Sequence, residues 1–109
     1  MDSESPLLAF TTCPDAESGR RIARSLVESG LAACVNMLPP MESVYRWKGN
    51  IETASEHLLI MKVSRANYGR VEQRIRELHP YELPEIVAVS IDAGLPAYLA
   101  WIVAPDRTP

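Results

Sequence analysis

The sequence has few cysteines and no long apolar run. Only two of its 109 residues are cysteine, so the chain can form at most one disulfide, and a reducing cytoplasm disfavours even that one. The longest apolar runs, such as residues 58–61, fall far short of the roughly twenty residues that cross a bilayer. We therefore expect free thiols and no membrane partner.

Positive charge is also scarce. Eleven Lys and Arg residues stand against fourteen Asp and Glu residues, which gives a formal net charge of -3 at pH 7. Because affinity for phosphate comes mostly from net positive charge, we expect no nucleic-acid partner. The first six residues carry Asp2 and Glu4 and lack the cationic region and apolar stretch of a secretory signal. We therefore predict a cytoplasmic protein.

Two kinds of catalytic motif are missing as well. The five glycines are scattered at positions 19, 30, 49, 69 and 94, which excludes a glycine-rich phosphate loop. A cysteine nucleophile with a histidine base is conceivable for Cys13 or Cys34 with His79, but no third residue is placed to orient the pair. We therefore expect that the protein is not an enzyme.

The chain does have the composition of a folded domain. Apolar residues make up 47% of the sequence and charged residues 23%, and no repeat, low-complexity tract or long linker divides it. We predict a single soluble domain over residues 1–109, with residues 1–6 and 104–109 as flexible ends.

The apolar spacing in the first two thirds predicts a strand, a helix and a long hairpin. Asp15 suits a helix N-cap and Gly30 suits a helix end, with apolar residues between them at intervals of three and four. Pro39 and Pro40 interrupt the second strand, because neither can donate a backbone hydrogen bond. The predicted strands cover residues 7–12, 32–37, 43–48, 51–54 and 57–63, with a turn at residues 49–50.

The last third predicts a helix, a strand and a terminal helix. Ser64 suits a helix cap, apolar residues up to Leu78 lie on one helix face, and Pro80 ends the helix. A strand over residues 85–91 and a helix over residues 96–103 follow. The order is β-α-β-β-α-β plus a C-terminal helix. It predicts an α+β fold of the split β-α-β type, with an antiparallel sheet covered on one face by two helices.

The predicted hairpin is too long for a domain of this size. If residues 32–49 ran straight, they would span roughly 60 Å at about 3.3 Å per residue. The hairpin must therefore extend beyond the body of the domain, and its exposed edges and the amphipathic Tyr45 and Trp47 need cover. A second copy of the chain is the simplest cover, so we predict a homo-oligomer.

A cluster of polar and rigid residues marks the junction after the second helix. It consists of His79, Pro80, Tyr81, Glu82, Pro84 and Glu85. Imidazole and thiolate are ligands that suit copper or zinc, so His79 with Cys13 or Cys34 is a candidate metal site. The alternative is that His79 caps the end of the helix and that the neighbouring prolines set the turn. The spacing of these residues leaves both interpretations open.

Five segments together resemble the CutA divalent-ion tolerance protein family. They are CPD at 13–15, LAACVN at 31–36, SVYRWKG at 43–49, HPYELPEI at 79–86 and YLAW at 98–101. The resemblance covers residues 7–102. It implies a ferredoxin-like domain that assembles as a homotrimer, with an architecture similar to that of PII signalling proteins. It also implies a role in tolerance to copper and other divalent metals, without catalytic residues.

The resemblance also bears on ligands. It implies weak binding of copper or another divalent metal, with His79, Cys13 and Cys34 as the candidate ligands. One alternative is a PII-like sensor that binds a small anionic ligand in clefts between subunits. The first places to look for that ligand are Lys62, Arg46 and residues 82–85. The other alternative is a scaffold for a protein partner.

Overall fold

The structure is a computed structural model that describes residues 4–106. Residues 1–3 and 107–109, which belong to the predicted flexible ends, lie outside the described residues. The elements are β1 (Pro6–Cys13), α1 (Ala16–Glu28), β2 (Cys34–Met37), β3 (Met41–Trp47), β4 (Asn50–Ser64), α2 (Tyr68–Leu78), β5 (Val87–Ser90) and α3 (Pro96–Val103). This order matches the predicted one, except that the interrupted second strand forms two separate strands, β2 and β3.

All strand pairs are antiparallel, and β4 is the strand that connects them. The strands lie in the order β2, β4, β1, β5, and β3 pairs with the outer part of β4. On β1, Cys13 lies opposite His57, and on β3, Met41 lies opposite Glu56. β4 therefore runs from the body of the sheet into the hairpin, and the predicted α+β fold with an antiparallel sheet is confirmed.

Helix α1 begins and ends at the residues that the sequence indicates. The Asp15 carboxylate accepts a hydrogen bond from the Ser18 backbone N–H at 2.7 Å, which caps the first turn. Ile22 and Leu26 are fully buried against the sheet. Gly30 has a φ of 76°, a left-handed conformation that glycine adopts without strain, and it ends the helix.

The return strand of the hairpin differs from the prediction. The sequence predicts two segments, residues 51–54 and 57–63, whereas β4 is one strand of 15 residues over Asn50–Ser64. The residues in the predicted gap stay in register, since Ser55 lies opposite Glu42 on β3. Pairing with β3 therefore keeps residues 55–56 in the strand, although their polar side chains do not favour a strand.

The hairpin turn lies one residue earlier than predicted. Trp47 pairs with Asn50, which leaves Lys48 and Gly49 as a two-residue turn. Their φ angles are 49° and 82°, and two positive φ angles are typical of the turn whose twist matches that of paired strands. Gly49 adopts this conformation without strain, whereas a lysine rarely does.

Helix α2 begins later than its predicted cap. The Ser64 hydroxyl accepts a hydrogen bond from the Asn67 backbone N–H at 3.2 Å, but it caps a 3-10 turn over Arg65–Asn67. The α-helix follows directly, and its Val71 and Ile75 are fully buried. One turn of 3-10 helix thus connects β4 to α2.

One side of the sheet packs against α1 and α2. The buried positions alternate along β1 and β4, as expected for strands with one face in the core. This core consists of Leu7, Ala9, Cys13, Ile22, Leu26, Leu31, Ala32, Leu59, Met61, Val63, Val71 and Ile75. The intervening residues Leu8, Phe10, Leu58 and Ile60 are only half-buried. The single chain therefore covers one side of the sheet much better than the other.

The C-terminal part of the sheet and its last helix are short. β5 covers Val87–Ser90, less than the predicted residues 85–91. α3 has eight residues, contacts β1 and β4, and buries Ile102. None of the helices within residues 4–106 combines the length and the apolar character that crossing a bilayer requires.

The hairpin of β3 and β4 makes the molecule long. Its dimensions are 47 × 26 × 23 Å. Its radius of gyration is 14.6 Å, against roughly 13 Å for a compact chain of this length. Val44 and Ile51 are 64% and 62% exposed, although both are apolar. The predicted extension beyond the body of the domain is confirmed, and its cover by a second copy stays a prediction.

Candidate functional site

The structure brings Cys13 and His79 together. Cys13 ends β1 and His79 follows α2, so the fold places side by side two residues that are 66 positions apart. The distance from Sγ to Nε2 is 3.9 Å, and both side chains are buried. The thiol and the imidazole predicted as metal ligands are therefore in contact.

Cys34 lies elsewhere on the sheet. It pairs with Lys62 on β4, whereas Cys13 pairs with His57 on the same strand. Lys62 and His57 are about 16 Å apart along β4. The Lys62 ammonium is 3.8 Å from the Cys34 Sγ. Across residues 4–106, no group of three or more His, Cys, Asp or Glu side chains is arranged to hold a metal ion. The structure therefore does not bring Cys34 to the other two candidates.

Both ring nitrogens of His79 already have partners. Nε2–H donates to the Thr12 carbonyl at 2.7 Å, and Nδ1 accepts from the Tyr81 backbone N–H at 3.1 Å. The His79 backbone N–H donates to the Ile75 carbonyl at 2.8 Å, so the residue also caps α2, as the alternative interpretation predicts. A metal ion can take an imidazole nitrogen only by displacing one of these hydrogen bonds.

The Cys13 thiol is not activated. Burial raises its pKa to about 11, and the charges of Asp15 and Glu56 contribute further. The group is therefore a protonated thiol at neutral pH, whereas the thiolate is the form that binds metals and attacks electrophiles. The predicted metal residues therefore do not form a closed metal centre in the described part of the chain.

A buried carboxylate that the sequence did not reveal lies close to this pair. Glu56 is 7% exposed, and the Tyr81 hydroxyl donates a hydrogen bond to its Oε2 at 2.7 Å. Burial raises the pKa of Tyr81, and the hydrogen bond and charge of Glu56 raise it further, so the phenol remains a donor. Glu56 lies in the gap between the predicted strands 51–54 and 57–63, so no pattern in the sequence marked it.

A cleft of about 580 Å³ lies between the hairpin and the junction after α2. It combines aromatic rings from the hairpin with carboxylates from both sides. Its lining consists of Thr12, Ser43, Val44, Tyr45, Trp47, Glu56, Tyr81, Glu82, Leu83 and Glu85. The volume lies within the range of small-molecule sites. The structure thus joins two segments that the sequence marked separately, the aromatic hairpin and the acidic junction.

The cleft does not suit the predicted anionic ligand. Of the cations named for that role, Lys62 donates to the Asn36 side chain and Arg46 is not part of the lining. The charged side chains that line the cleft are three carboxylates, which repel an anion. The charge of the cleft therefore favours a cation.

The fold and the cleft define a small α+β protein with a two-helix layer, a projecting hairpin and an acidic, aromatic cleft at the hairpin. The family model described as CutA1 divalent ion tolerance protein matches residues 7–105, and the chain belongs to this family. The resemblance found in the sequence is confirmed.

Individual relatives agree with this assignment. The divalent-cation tolerance protein CutA of Thermus thermophilus is 44% identical over 95 residues, which cover 87% of this chain and 92% of that protein. Protein CutA of Mus musculus is 43% identical over 94 residues, which cover 86% of this chain and 53% of the mouse protein. The chain therefore spans about half the length of that relative. The crystal structure of CutA from Xylella fastidiosa matches with a TM-score of 0.87 at 47% identity, covering 90% of this chain and 94% of that chain.

The prediction of a cytoplasmic location, which was based on composition, is wrong. A relative from Arabidopsis thaliana, 38% identical over 101 residues, is named as chloroplastic. A solved structure from Archaeoglobus fulgidus, with a TM-score of 0.86 at 37% identity, is named as periplasmic. Relatives of the same fold thus occur in several compartments, because acidic charge and few cysteines do not specify a location.

Proposed function

We propose that this chain acts in divalent-cation tolerance as a non-catalytic homotrimer of ferredoxin-like subunits, with an architecture similar to that of PII proteins. Family membership supports the role in cation tolerance. The strand order β2, β4, β1, β5, with two helices on one face, supports the ferredoxin-like subunit. The protonated Cys13 thiol supports a role without nucleophilic catalysis.

The observation that supports assembly is the uncovered hairpin, whereas the number of three subunits is what the resemblance to the CutA family implies. A two-stranded hairpin on its own is marginally stable in water, yet this one exposes apolar side chains along its length. The exposed apolar residues of β3, β4 and the edge strand β5 are Val44, Tyr45, Trp47, Ile51, Val87 and Val89. Further copies of the chain cover such a hairpin and pair with the open sheet edges.

Light scattering at micromolar concentration tests the trimer. We expect a mass three times that of the chain, and a monomer mass would contradict the proposal. Replacing the exposed Val44 and Ile51 with lysine should lower the mass, because charges in a subunit contact are costly. The matched control is Val27→Lys, which changes an exposed apolar residue of α1 and should leave the mass unchanged.

We further propose that a divalent metal such as copper binds weakly at Cys13 and His79. The contact between thiol and imidazole supports this assignment, since both donor types suit copper. The hydrogen bonds of His79 to Thr12 and Tyr81 support weak binding, because the metal must compete with them.

Calorimetric titration of the reduced protein with copper and zinc tests the metal site. We expect His79→Ala to weaken binding. The matched control is His57→Ala, because His57 also binds a backbone carbonyl, that of Leu38 at 2.9 Å, and lies opposite Cys13. Thermal melts identify any variant that fails to fold. Equal metal affinity in the folded variants and the wild type would remove the proposed site.

A further inference from the structure

Glu56 is a buried carboxylate to which the described chain supplies no cation. It is 7% exposed, and within residues 4–106 its hydrogen-bond partner is the Tyr81 hydroxyl. The surface ion pairs of the described residues include Arg21 with Glu17 and Arg74 with Glu77, and neither involves Glu56. Among the described residues, Thr11 Oγ1 is the buried side-chain atom left without a partner, so the free Glu56 oxygen is open to the cleft, where a cation can pair with it.

The Tyr81 hydroxyl satisfies this carboxylate only in part. It donates one hydrogen bond to Oε2 and brings no positive charge. An ionised carboxylate offers further acceptor positions on both oxygens. Because Glu56 belongs to the lining of the cleft, a ligand in the cleft can reach those positions.

The walls of the same cleft suit an organic cation. Tyr45 and Trp47 line it and are 43% and 40% exposed in the single chain, and the proposal requires that the homotrimer leave these rings open to the cleft. Aromatic faces attract ammonium groups within about 6 Å of the ring centroid. The Lys48 ammonium, which is not part of the cleft lining, lies 5.9 Å from the Trp47 ring centroid, so this ring already attracts one cation of the chain.

Two further carboxylates, Glu82 and Glu85, line the cleft from the junction after α2 and are exposed. They are exposed side chains, whereas Glu56 is 7% exposed. They supply a second region of negative charge. A ligand with one positive charge satisfies Glu56, and a ligand with two also engages this exposed region.

We propose that the cleft binds a small organic cation with two ammonium groups, an aliphatic diamine. One ammonium group binds the Glu56 carboxylate beside the aromatic rings, and the other faces Glu82 and Glu85. The methylene chain between them contacts apolar wall such as Val44. The cleft volume of about 580 Å³ leaves ample room for a ligand of this size. The proposal is independent of a metal at Cys13 and His79.

Tryptophan fluorescence gives a direct test with 1,4-diaminobutane as the probe. The chain has two tryptophans, so Trp101→Phe makes Trp47 in the cleft the reporter. We expect a saturable signal change with the diamine and binding at least about tenfold weaker with butylamine, which has a single charge. Magnesium chloride at equal ionic strength should not reproduce the signal. A signal that fails to saturate, or that magnesium reproduces, would overturn the proposal.

Two glutamate variants test the assignment of the charge. Glu56→Gln keeps an oxygen that accepts from Tyr81 but removes the charge, so diamine binding should weaken about tenfold or more. The matched control is Glu42→Gln, which removes an exposed charge from β3 outside the cleft and should change binding less than twofold. Equal losses in both variants would show charge attraction without a site.

A cationic side chain of a second copy is the rival occupant. If it fills the cleft, the assembled wild type does not bind the diamine, and Glu56→Gln lowers the mass measured by light scattering. That result overturns the diamine proposal while leaving the homotrimer in place. A monomer mass together with saturable diamine binding would overturn the homotrimer and leave the diamine proposal in place. Failures of the two proposals are therefore distinguishable.

Discussion

The two halves of β4 belong to one strand and have opposite surroundings. The inner half lies between β1 and β2, under the helices, and its Leu59, Met61 and Val63 are fully buried. The outer half pairs with β3 alone, and its Ile51 is 62% exposed. Burial along this strand therefore depends on how many neighbours the strand has at each point, and the apolar content of the sequence does not determine it.

This difference separates residues that fold the chain from residues that meet other molecules. In the inner half, the burial of each apolar side chain stabilises the folded chain by roughly 1.5–3 kcal/mol. In the outer half, apolar and aromatic side chains remain exposed beside the cleft, where a subunit or a ligand gains by covering them. The following predictions measure how sharp this division is.

The largest expected effect comes from Leu59→Ala in the inner half. The side chain is fully buried, so its truncation loses apolar burial and leaves a cavity. We expect a loss of about 2–5 kcal/mol in the free energy of unfolding, measured by urea denaturation at fixed protein concentration. The control is Thr53→Ala in the exposed outer half, with an expected loss of less than about 1 kcal/mol. Similar losses in both variants would contradict the division.

A smaller effect should come from two helical glycines. A Cβ added at Gly19 in α1 would lie 2.8 Å from the Met37 Sδ and 3.6 Å from the Leu59 Cδ2, so the helix approaches the sheet closely there. A Cβ at Gly69 in α2 would meet nothing within 4 Å. Gly69→Ala should therefore stabilise the protein by about 0.5–1 kcal/mol through helix propensity.

Gly19→Ala gains the same propensity but must displace the Met37 side chain. Because the close atom is the end of a flexible side chain, we expect the low end of the usual overpacking cost, so Gly19→Ala should be less stable than Gly69→Ala by about 1 kcal/mol. Thermal melts of the two variants provide the measurement. Because methionine is flexible, Met37→Ala in the Gly19→Ala background should recover part of the difference. Equal stability of the two glycine variants would contradict this prediction and would mean that the Met37 side chain moves aside without cost.

The hairpin turn should show an effect of about 1 kcal/mol. Gly49 has a φ of 82°, so Gly49→Ala places a side chain where one is strained. Lys48 carries such strain already at a φ of 49°, and Lys48→Asn should stabilise the hairpin slightly because Asn-Gly favours this turn. Chemical denaturation measures both changes. Opposite signs are expected, and a loss of stability in Lys48→Asn would contradict the turn assignment.

The order of elements was predictable because each one carries a local signal. Asp15 and Gly30 bound α1 through capping and a positive φ, and both effects depend on neighbouring residues alone. The gap predicted at residues 55–56 was wrong because pairing with β3 is a nonlocal effect. Strand propensity cannot show which polar residues a partner strand retains.

The candidate site was predictable only in its parts. His79 stood out as a polar residue at a helix end, but its contact with Cys13 depends on how β1 and α2 meet. Glu56 was missed because its burial depends on Tyr81, 25 positions further along the chain. Spacing in the sequence identifies donors within one segment, whereas this site combines residues from β1, the hairpin and the junction.

The smallest expected effect is a pH dependence from Tyr68, which packs on the core of the inner half. Burial raises its pKa above the ordinary value of 10.0, and the hydrogen bond to Glu72 and the charge of that residue contribute further. Below about pH 10 both folded and unfolded chains keep the proton, so the stabilisation is fully present. Above that pH the unfolded chain releases its proton first, and stability falls as the pH rises through the pKa of the folded state.

Melts at about pH 8 and about pH 11 should show a smaller alkaline loss of stability in Tyr68→Phe than in the wild type, because the variant keeps the ring without the titrating hydroxyl. Equal losses would mean that Tyr68 is solvated like the side chains of the outer half, and the division between the two halves would not extend to this edge of the core.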